Sequence, residues 1–150
     1  SNEWYMTGLQ VEVGTAASDF EFLPHDVNLN RCRRYYYIFA DRRTSGAFPI
    51  RDQRAIGIGT THYPNQVSVC VNFLTEMRTV PSLDQDTGTD YFQYYHETTG
   101  DNFDSFNSIG SNGVSAMTIR NTNQISASHG VSGTVDATTS GAMAAFDAEL

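Results

Sequence analysis

The sequence predicts an all-β fold, an antiparallel β-sandwich or jelly roll with one short helix near its N terminus. Short runs of alternating apolar and polar residues recur about every ten residues, which is the spacing typical of sandwiches. No segment has the periodicity of a long amphipathic helix. Tyr and Phe, which favour strands, number 8 and 9, whereas charged residues make up only 17% of the chain.

The clearest predicted strand covers residues 66–73. Val67, Val69 and Val71 point to one side of this segment, and polar or small residues alternate with them on the other side. The alternation predicts a strand with one buried face. Because Cys70 lies between two of these valines, we expect its small side chain to be buried as well.

The remaining elements follow from shorter patterns. A short helix is predicted from Asp26, as its N-cap, to Arg34, and packing must stabilise it because it is too short to be stable alone. The two strands around residues 121–123 are predicted to form a hairpin, and residues 97–112 a polar loop. In chain order, the predicted strands are 4–13, 35–40, 48–50, 55–63, 66–73, 91–96, 114–120, 124–129 and 141–150.

The chain is predicted to consist of two parts. Residues 1–24 contain a strand and a connector that belong to a preceding module, and residues 25–150 form the sandwich domain. The first residues have neither the basic start nor the apolar run of a secretory signal. We therefore expect this chain to be a fragment or processed end of a longer protein.

The charge of the chain argues against nucleic-acid binding. The net charge is −8, whereas proteins bind a phosphate backbone through basic patches. The single basic cluster consists of Arg31, Arg33, Arg34, Arg42 and Arg43. Since Asp26 and Asp41 lie among these arginines, we expect ion pairs within the fold or between subunits. No apolar stretch has the length of a membrane helix, so no membrane insertion is expected.

Neither a metal site nor a cofactor is predicted. Asp84, Asp86 and Asp90 recur around a glycine as in a calcium-binding loop, but the twelve-residue pattern and its closing Glu are missing. We therefore favour a solvated acidic turn over a calcium site. A disulfide between Cys32 and Cys70 is an alternative to two free thiols, and neither cysteine has a second ligand at zinc spacing.

No catalytic residue is predicted. The four histidines are scattered, and none lies beside a serine or cysteine in a nucleophile motif. A glycosidase needs two carboxylates that face each other across a cleft, and the sequence cannot pair its acidic residues in this way. We therefore expect a non-enzymatic protein, with a polysaccharide-degrading enzyme as the least favoured class.

Segments in three parts of the chain carry a resemblance to a known family. They are TGLQVEVG at 7–14 with FEF at 20–22 and CRRYYY at 32–37, FLTEMRTVP at 73–81, and FDAEL at 146–150. In this order they resemble the C-terminal β-modules of tail fibres and virion structural proteins of tailed phages, especially marine and environmental phages. Leu74 departs from the family pattern, which has a proline at that position.

The resemblance implies a virion component without enzymatic activity, in a tail fibre or another external appendage, that assembles as a homotrimer. Packing around a threefold axis would protect the exposed edge strands of a small sandwich. The expected function is trimer assembly together with attachment to a glycan of the host surface. Other virion proteins are expected as further partners. The alternative is a purely structural capsid or tail decoration or trimerisation protein that binds no receptor.

Receptor contacts are expected from the aromatic run 91–96 and from the polar loops 84–90 and 97–112. Aromatic rings stack on sugar faces, although we expect half of this run to be buried in a strand. Loops on rigid β-scaffolds frequently carry recognition. The candidate receptor-binding residues are Tyr91, Tyr94, Tyr95, Asp101, Asn102, Asn107 and Asn112.

Overall fold

A computed structural model describes residues 11, 13–16, 23–45, 48–49 and 53–149. It contains one helix and twelve strands, which are named here in chain order. They are α1 (His25–Arg33), β1 (Tyr36–Asp41), β2 (Thr44–Ser45), β3 (Phe48–Pro49), β4 (Ala55–Thr60), β5 (Val67–Asn72), β6 (Ser82–Gln85), β7 (Phe92–His96), β8 (Thr99–Phe103), β9 (Ser108–Asn112), β10 (Ala116–Asn121), β11 (Ser132–Ala137) and β12 (Met143–Asp147).

The strands form two main antiparallel sheets in a sandwich-like arrangement. The larger sheet has seven strands in the order β8-β7-β11-β4-β5-β10-β9, and the smaller has three in the order β1-β12-β6. Within the described ranges, strands β2 and β3 pair with each other alone. The predicted all-β antiparallel fold with one short N-terminal helix is thus confirmed.

The hydrophobic core lies between the two sheets. On β5, Val67, Val69 and Val71 are buried while the residues between them are more exposed, as the alternation predicts. Every residue of β12 from Met143 to Phe146 is buried, because this strand is the middle one of its sheet. The Phe146 ring lies 4.6 Å from the ring centroid of Phe39 within that sheet and 4.9 Å from that of Phe73, which follows β5. These rings join the two sheets.

The single helix among the described residues follows the prediction closely but has a different cap. Pro24 occupies the N-cap, and no side chain caps the helix, so the prediction that Asp26 caps it is wrong. Asp26 lies in the first turn, where its negative carboxylate interacts favourably with the positive end of the helix dipole. No α1 side chain is buried.

Several strand predictions in the second half of the chain are wrong. The predicted hairpin over 121–123 does not form: β10 pairs with β5 and β9, and residues 122–131 are a connection. The predicted polar loop 97–112 contains β8 and β9, and the predicted acidic turn begins inside β6. Strand β11 was not predicted, because Ser132–Ala137 is too rich in small and polar residues to show an apolar alternation.

The N-terminal predictions lie mostly outside the described residues. This applies to residues 4–10 and 12 of the predicted strand 4–13 and to residues 17–22 of the predicted connector. Val11 and Val13 are described, belong to no strand and are 89% and 108% exposed. The division between residues 1–24 and 25–150 and the homotrimer stay predictions.

Candidate functional site

Of the three candidate tyrosines, one is excluded by burial. Tyr94 is 0% exposed, and its hydroxyl donates to the Val131 carbonyl at 3.0 Å, so the prediction that it contacts a receptor is wrong. The register explains this, because Tyr94 pairs with the buried Val135 on the inner side of β11. Tyr95 points outward and is 50% exposed. Tyr91 is half-buried and directly precedes β7.

Asp101 stabilises the fold instead of facing solvent. Its carboxylate accepts hydrogen bonds from the Ser126 N–H at 2.7 Å and the Ser126 hydroxyl at 2.8 Å. His96 Nε2 lies 3.0 Å from the same carboxylate and donates to it, because an ionised carboxylate only accepts. Burial alone would raise the pKa of Asp101, but the bonds from Ser126 and His96 outweigh it and lower that pKa.

The cluster of Asp101, His96 and Ser126 differs from a Ser-His-Asp triad. In a triad the serine hydroxyl bonds the histidine, which then removes its proton. Here the Ser126 hydroxyl donates to Asp101, while Nδ1 of His96 is buried and has no hydrogen-bond partner among the described residues. The cluster ties residues 122–131 to β8, and its serine hydroxyl bonds the carboxylate instead of the imidazole.

The three candidate asparagines are exposed and lie apart from one another. Asn102 accepts a hydrogen bond from Gln93 Nε2 at 2.9 Å on the outer side of β8. Asn107 makes hydrogen bonds within the chain although it is exposed: its Oδ1 accepts from the N–H and the hydroxyl of Thr122 at 3.1 and 3.0 Å. Asn112 ends β9. The candidate residues therefore do not converge on one site, although Tyr95 and Asn102 share the outer side of two paired strands.

Three connections meet at one end of the seven-stranded sheet. The antiparallel register pairs Thr60 with both Ser132 and Ser68, and pairs Gly133 with His96. The connections β4–β5 (61–66), β7–β8 (97–98) and β10–β11 (122–131) consequently leave the sheet at the same end, which we call the loop end. Loops that are grouped in this way on a rigid sheet are suited to recognition.

The loop end carries three exposed rings, which we call the ring cluster: His62, Tyr63 and His129. The rings of His62 and Tyr63 meet edge to face, with centroids 4.5 Å apart. The ring of His129 lies 6.2 Å from that of His62. Tyr63 is 60% exposed, so its ring is open to a ligand. The sequence predicts a turn at residues 64–65 but cannot predict that His129, far along the chain, lies beside it.

A buried threonine holds the ring cluster in place. Thr61 is 2% exposed, and its hydroxyl lies 2.5 Å from the Ser128 carbonyl and 3.1 Å from the Val131 carbonyl while accepting from the Val131 N–H at 2.8 Å. Its backbone N–H donates to the Val131 carbonyl, and its carbonyl accepts from the Gly130 N–H. Both loops that carry the rings are therefore fixed to one side chain.

The remaining site predictions have mixed outcomes. Asp84 belongs to β6 and accepts a hydrogen bond from the Tyr36 hydroxyl at 2.7 Å, so residues 84–90 are not one solvated turn. Cys32 and Cys70 are both free and exposed, so the prediction that Cys70 is buried is wrong. The expected ion pairing of the arginines is confirmed for Arg43, which holds the buried Asp41 carboxylate through two hydrogen bonds of 3.0 Å.

Two further features bear on the chemistry of the described residues. No group of three or more His, Cys, Asp or Glu side chains is placed to hold a metal ion in this part of the chain. Within the same residues, no helix is long and apolar enough to cross a membrane.

No protein-family model, curated protein or solved structure matches this chain. The resemblance of residues 7–14, 73–81 and 146–150 to virion modules stays a prediction from the sequence. A binding function therefore rests on the ring cluster and on the surfaces of the sandwich.

Proposed function

We propose that this chain is a non-enzymatic distal module of a tailed-phage virion appendage, such as a tail fibre, that assembles as a homotrimer and attaches to a host-surface saccharide. The sequence resemblance supports the proposed location in a virion appendage. The observation that carries attachment is the ring cluster, in which Tyr63 is exposed beside two histidines. Its position at the loop end leaves it accessible next to three connections.

The chemistry of the ring cluster suits a neutral or weakly polar saccharide. The Tyr63 ring offers an apolar face to the C–H groups of a sugar, and its hydroxyl reaches polar surroundings. The imidazoles of His62 and His129 donate and accept hydrogen bonds, as sugar hydroxyls require. Because Thr61 fixes both loops, little conformational freedom remains to be lost on binding.

The contact between one ring cluster and one saccharide is expected to be weak. Three copies in one appendage, and several appendages on one particle, convert weak single contacts into strong attachment. The proposal therefore requires a modest affinity of the isolated chain and a much larger apparent affinity of the assembled form.

The experiment is a binding measurement on an array of host-surface polysaccharides, with immobilised Tyr63→Ala, His129→Ala and unchanged chain side by side. Tyr35→Ala is the matched control, because Tyr35 is 42% exposed and lies away from the loop end. We expect at least a tenfold loss for the two ring-cluster variants and none for the control. Equal binding by all four proteins would refute a role of the ring cluster in attachment.

A purely structural role is the second candidate, and the outer side of the seven-stranded sheet favours it, because Ile58 and Tyr95 are exposed there and suit contact with another virion protein. Labelling this chain with an antibody on intact particles separates the two functions. Label at tail or fibre tips supports attachment, whereas label over the capsid shell supports a decoration protein and would exclude the ring cluster from host binding.

A further inference from the structure

An Asn-Gly pair lies where β9 ends and its connection to β10 begins. Asn112 is the exposed last residue of β9, and Gly113 is the first residue of the connection 113–115. Of the asparagines in the sequence, Asn112 alone precedes a glycine. This order matters because the backbone nitrogen after an asparagine can attack its side chain, and a glycine nitrogen is the least shielded nucleophile of this kind.

Both reacting groups are without hydrogen bonds in the part of the chain that the structure describes. The side-chain amide of Asn112 bonds no described residue, and the Gly113 N–H has no acceptor there. The surroundings of Gly113 are open as well. A Cβ atom on it would come no closer than 3.5 Å to any residue beyond its chain neighbours, at the Ala116 carbonyl oxygen. The amide group can therefore turn towards the nitrogen without breaking a hydrogen bond.

Other asparagines of the sheet lack these properties. Asn107 Oδ1 accepts two hydrogen bonds from Thr122, and Asn102 accepts one from Gln93 Nε2. Asn121 is 0% exposed. Each of these asparagines is followed by a residue with a side chain, which shields the backbone nitrogen. Exposure, free groups and a following glycine coincide at Asn112.

We infer that Asn112 is a site of spontaneous modification, at which the side-chain amide is lost through a cyclic imide. The Gly113 nitrogen gives up its proton and attacks Cγ of Asn112, so that a new C–N bond forms and the bond to the side-chain nitrogen breaks. That nitrogen leaves as ammonia and takes up the released proton. Because the reaction is intramolecular, it is strongly favoured over attack by a separate molecule.

Water completes the modification. It opens the imide at either of its two carbonyl groups and leaves aspartate or isoaspartate at position 112. Either product adds one carboxylate to a chain whose net charge is already −8. In isoaspartate the main chain also runs through the side-chain carbon, so the backbone before Gly113 becomes longer by one carbon atom.

The structural effect of the longer backbone is expected to stay within β9. This strand lies at an edge of the seven-stranded sheet, where Asn112 pairs with Met117 of β10. In the connection, the Val114 carbonyl accepts a hydrogen bond from the Met77 N–H at 2.8 Å. Because this bond holds the connection from the side of β10, the change at position 112 displaces the edge strand and leaves β10 in place.

The site lies at the end of the sheet opposite the loop end. The register pairs Asn121, the last residue of β10, with Val67, which directly follows the β4–β5 connection. It also pairs Ser108 with Arg120, so β9 begins near the loop end and runs away from it to Asn112. Modification of Asn112 is therefore independent of the ring cluster and of the proposed function.

Tandem mass spectrometry of the digested chain, after incubation of the folded protein at pH 8, locates a modified asparagine to one residue. We expect Asn112 to gain the mass of an amide converted to an acid, in two forms that chromatography separates. Conversion should be faster at pH 8 than at pH 6, because the attacking nitrogen must first lose its proton. Asn102 and Asn107 are the internal controls and should keep their amides. An unchanged Asn112, or equal conversion of all three asparagines, would overturn the inference.

One variant and one unfolded sample test the mechanism. Gly113→Ala keeps the fold, since its Cβ meets an ordinary contact, but shields the nitrogen, so we expect conversion to slow by about tenfold. Because the fold leaves both groups free, the folded chain should convert within about tenfold of the rate of the chain unfolded in urea. Equal rates for Gly113→Ala and the unchanged chain would exclude attack by the Gly113 nitrogen. A folded chain that converts far more slowly than the unfolded one would show that the fold protects Asn112.

Discussion

Gly133 lies directly beneath the ring of Tyr94. A Cβ atom on Gly133 would be 2.9 Å from Cε2 of that ring and even closer to the backbone oxygen of Tyr95. On the neighbouring strand, a Cβ atom on Gly59 would be 3.2 Å from the same ring carbon and 2.8 Å from Cγ2 of Val135. Two glycines thus leave the space in which the ring is buried, and the Tyr94 hydroxyl reaches Val131 at the loop end.

Gly133→Ala should therefore destabilise the protein strongly. The added methyl group would meet the backbone of β7, which cannot rotate away as a side chain can, so β7 and β11 would have to separate. We expect a loss of about 3 kcal/mol, at the upper end of the range for overpacked cores. Urea unfolding followed by circular dichroism measures it. Gly113→Ala is the control, because its nearest contact would be an ordinary 3.5 Å, and similar losses in both variants would show that the close approach of Gly133 to β7 does not cause the loss.

Thr61→Val should loosen the loop end. Valine has nearly the same shape but lacks the hydroxyl, so the Val131 N–H would lose its partner at 2.8 Å. We expect a loss of about 2 kcal/mol, since a buried donor is left without a hydrogen bond. Saccharide binding through the ring cluster should fall with it. Thr61→Ser keeps the hydroxyl and should retain most of both properties; equal effects of the two substitutions would show that the hydroxyl does not hold the loops.

Two of the strands that the sequence predicts correctly, β5 and β7, show strong apolar alternation. In β5, three valines alternate with small and polar residues, and in β7 the buried Phe92 and Tyr94 alternate with Gln93 and Tyr95. Strand β11 shows no such pattern, because Gly133 and Thr134 occupy positions where neighbouring strands supply the packing. Its pairing with β4 and β7 is a long-range property that local residue patterns do not contain.

The candidate site was harder to predict than the fold. Asp101 and Asn107 have the polarity of surface recognition residues, but both are used to hold connections inside the protein. The ring cluster combines residues from two connections far apart in the sequence, and only the antiparallel register of β4, β11 and β5 brings these connections to one end. A single exposed tyrosine beside a Pro-Asn turn carries no such signal.

Asp101→Asn should lower the free energy of unfolding by about 2 kcal/mol, because the new amide group would face the donors of Ser126 and His96. The loss should depend on pH. Since the folded-state pKa of Asp101 is lowered, its ionised form contributes stability that is fully present above the unfolded value of about 3.9 and disappears as the pH falls through the folded value. Unfolding free energies of both proteins between pH 7 and pH 3 measure this.

The difference in unfolding free energy between the unchanged chain and Asp101→Asn should become smaller as the pH falls to 3. Asp26→Asn, an exposed carboxylate on α1, is the control and should show a small difference at every pH. A difference that stays constant down to pH 3 would mean that the carboxylate charge is not what holds Ser126.

Tyr36 should remain protonated well into the alkaline range. Burial, followed by the hydrogen bond to Asp84, raises its pKa to about 12. Because this pKa lies above the ordinary tyrosine value of about 10, the neutral hydroxyl contributes stability that is fully present below pH 10 and is lost as the pH rises through about 12. Tyr36→Phe should therefore be less stable than the unchanged chain at pH 8, by about 1 kcal/mol for the lost hydrogen bond. This difference in unfolding free energy should narrow between pH 10 and pH 12.

Tyrosinate absorbance of the two proteins measures the titration of Tyr36 directly. The chain has 8 tyrosines, and the difference spectrum of the two proteins isolates the Tyr36 hydroxyl from the others. A difference spectrum with its midpoint at pH 10 would show that Asp84 does not hold the proton on Tyr36.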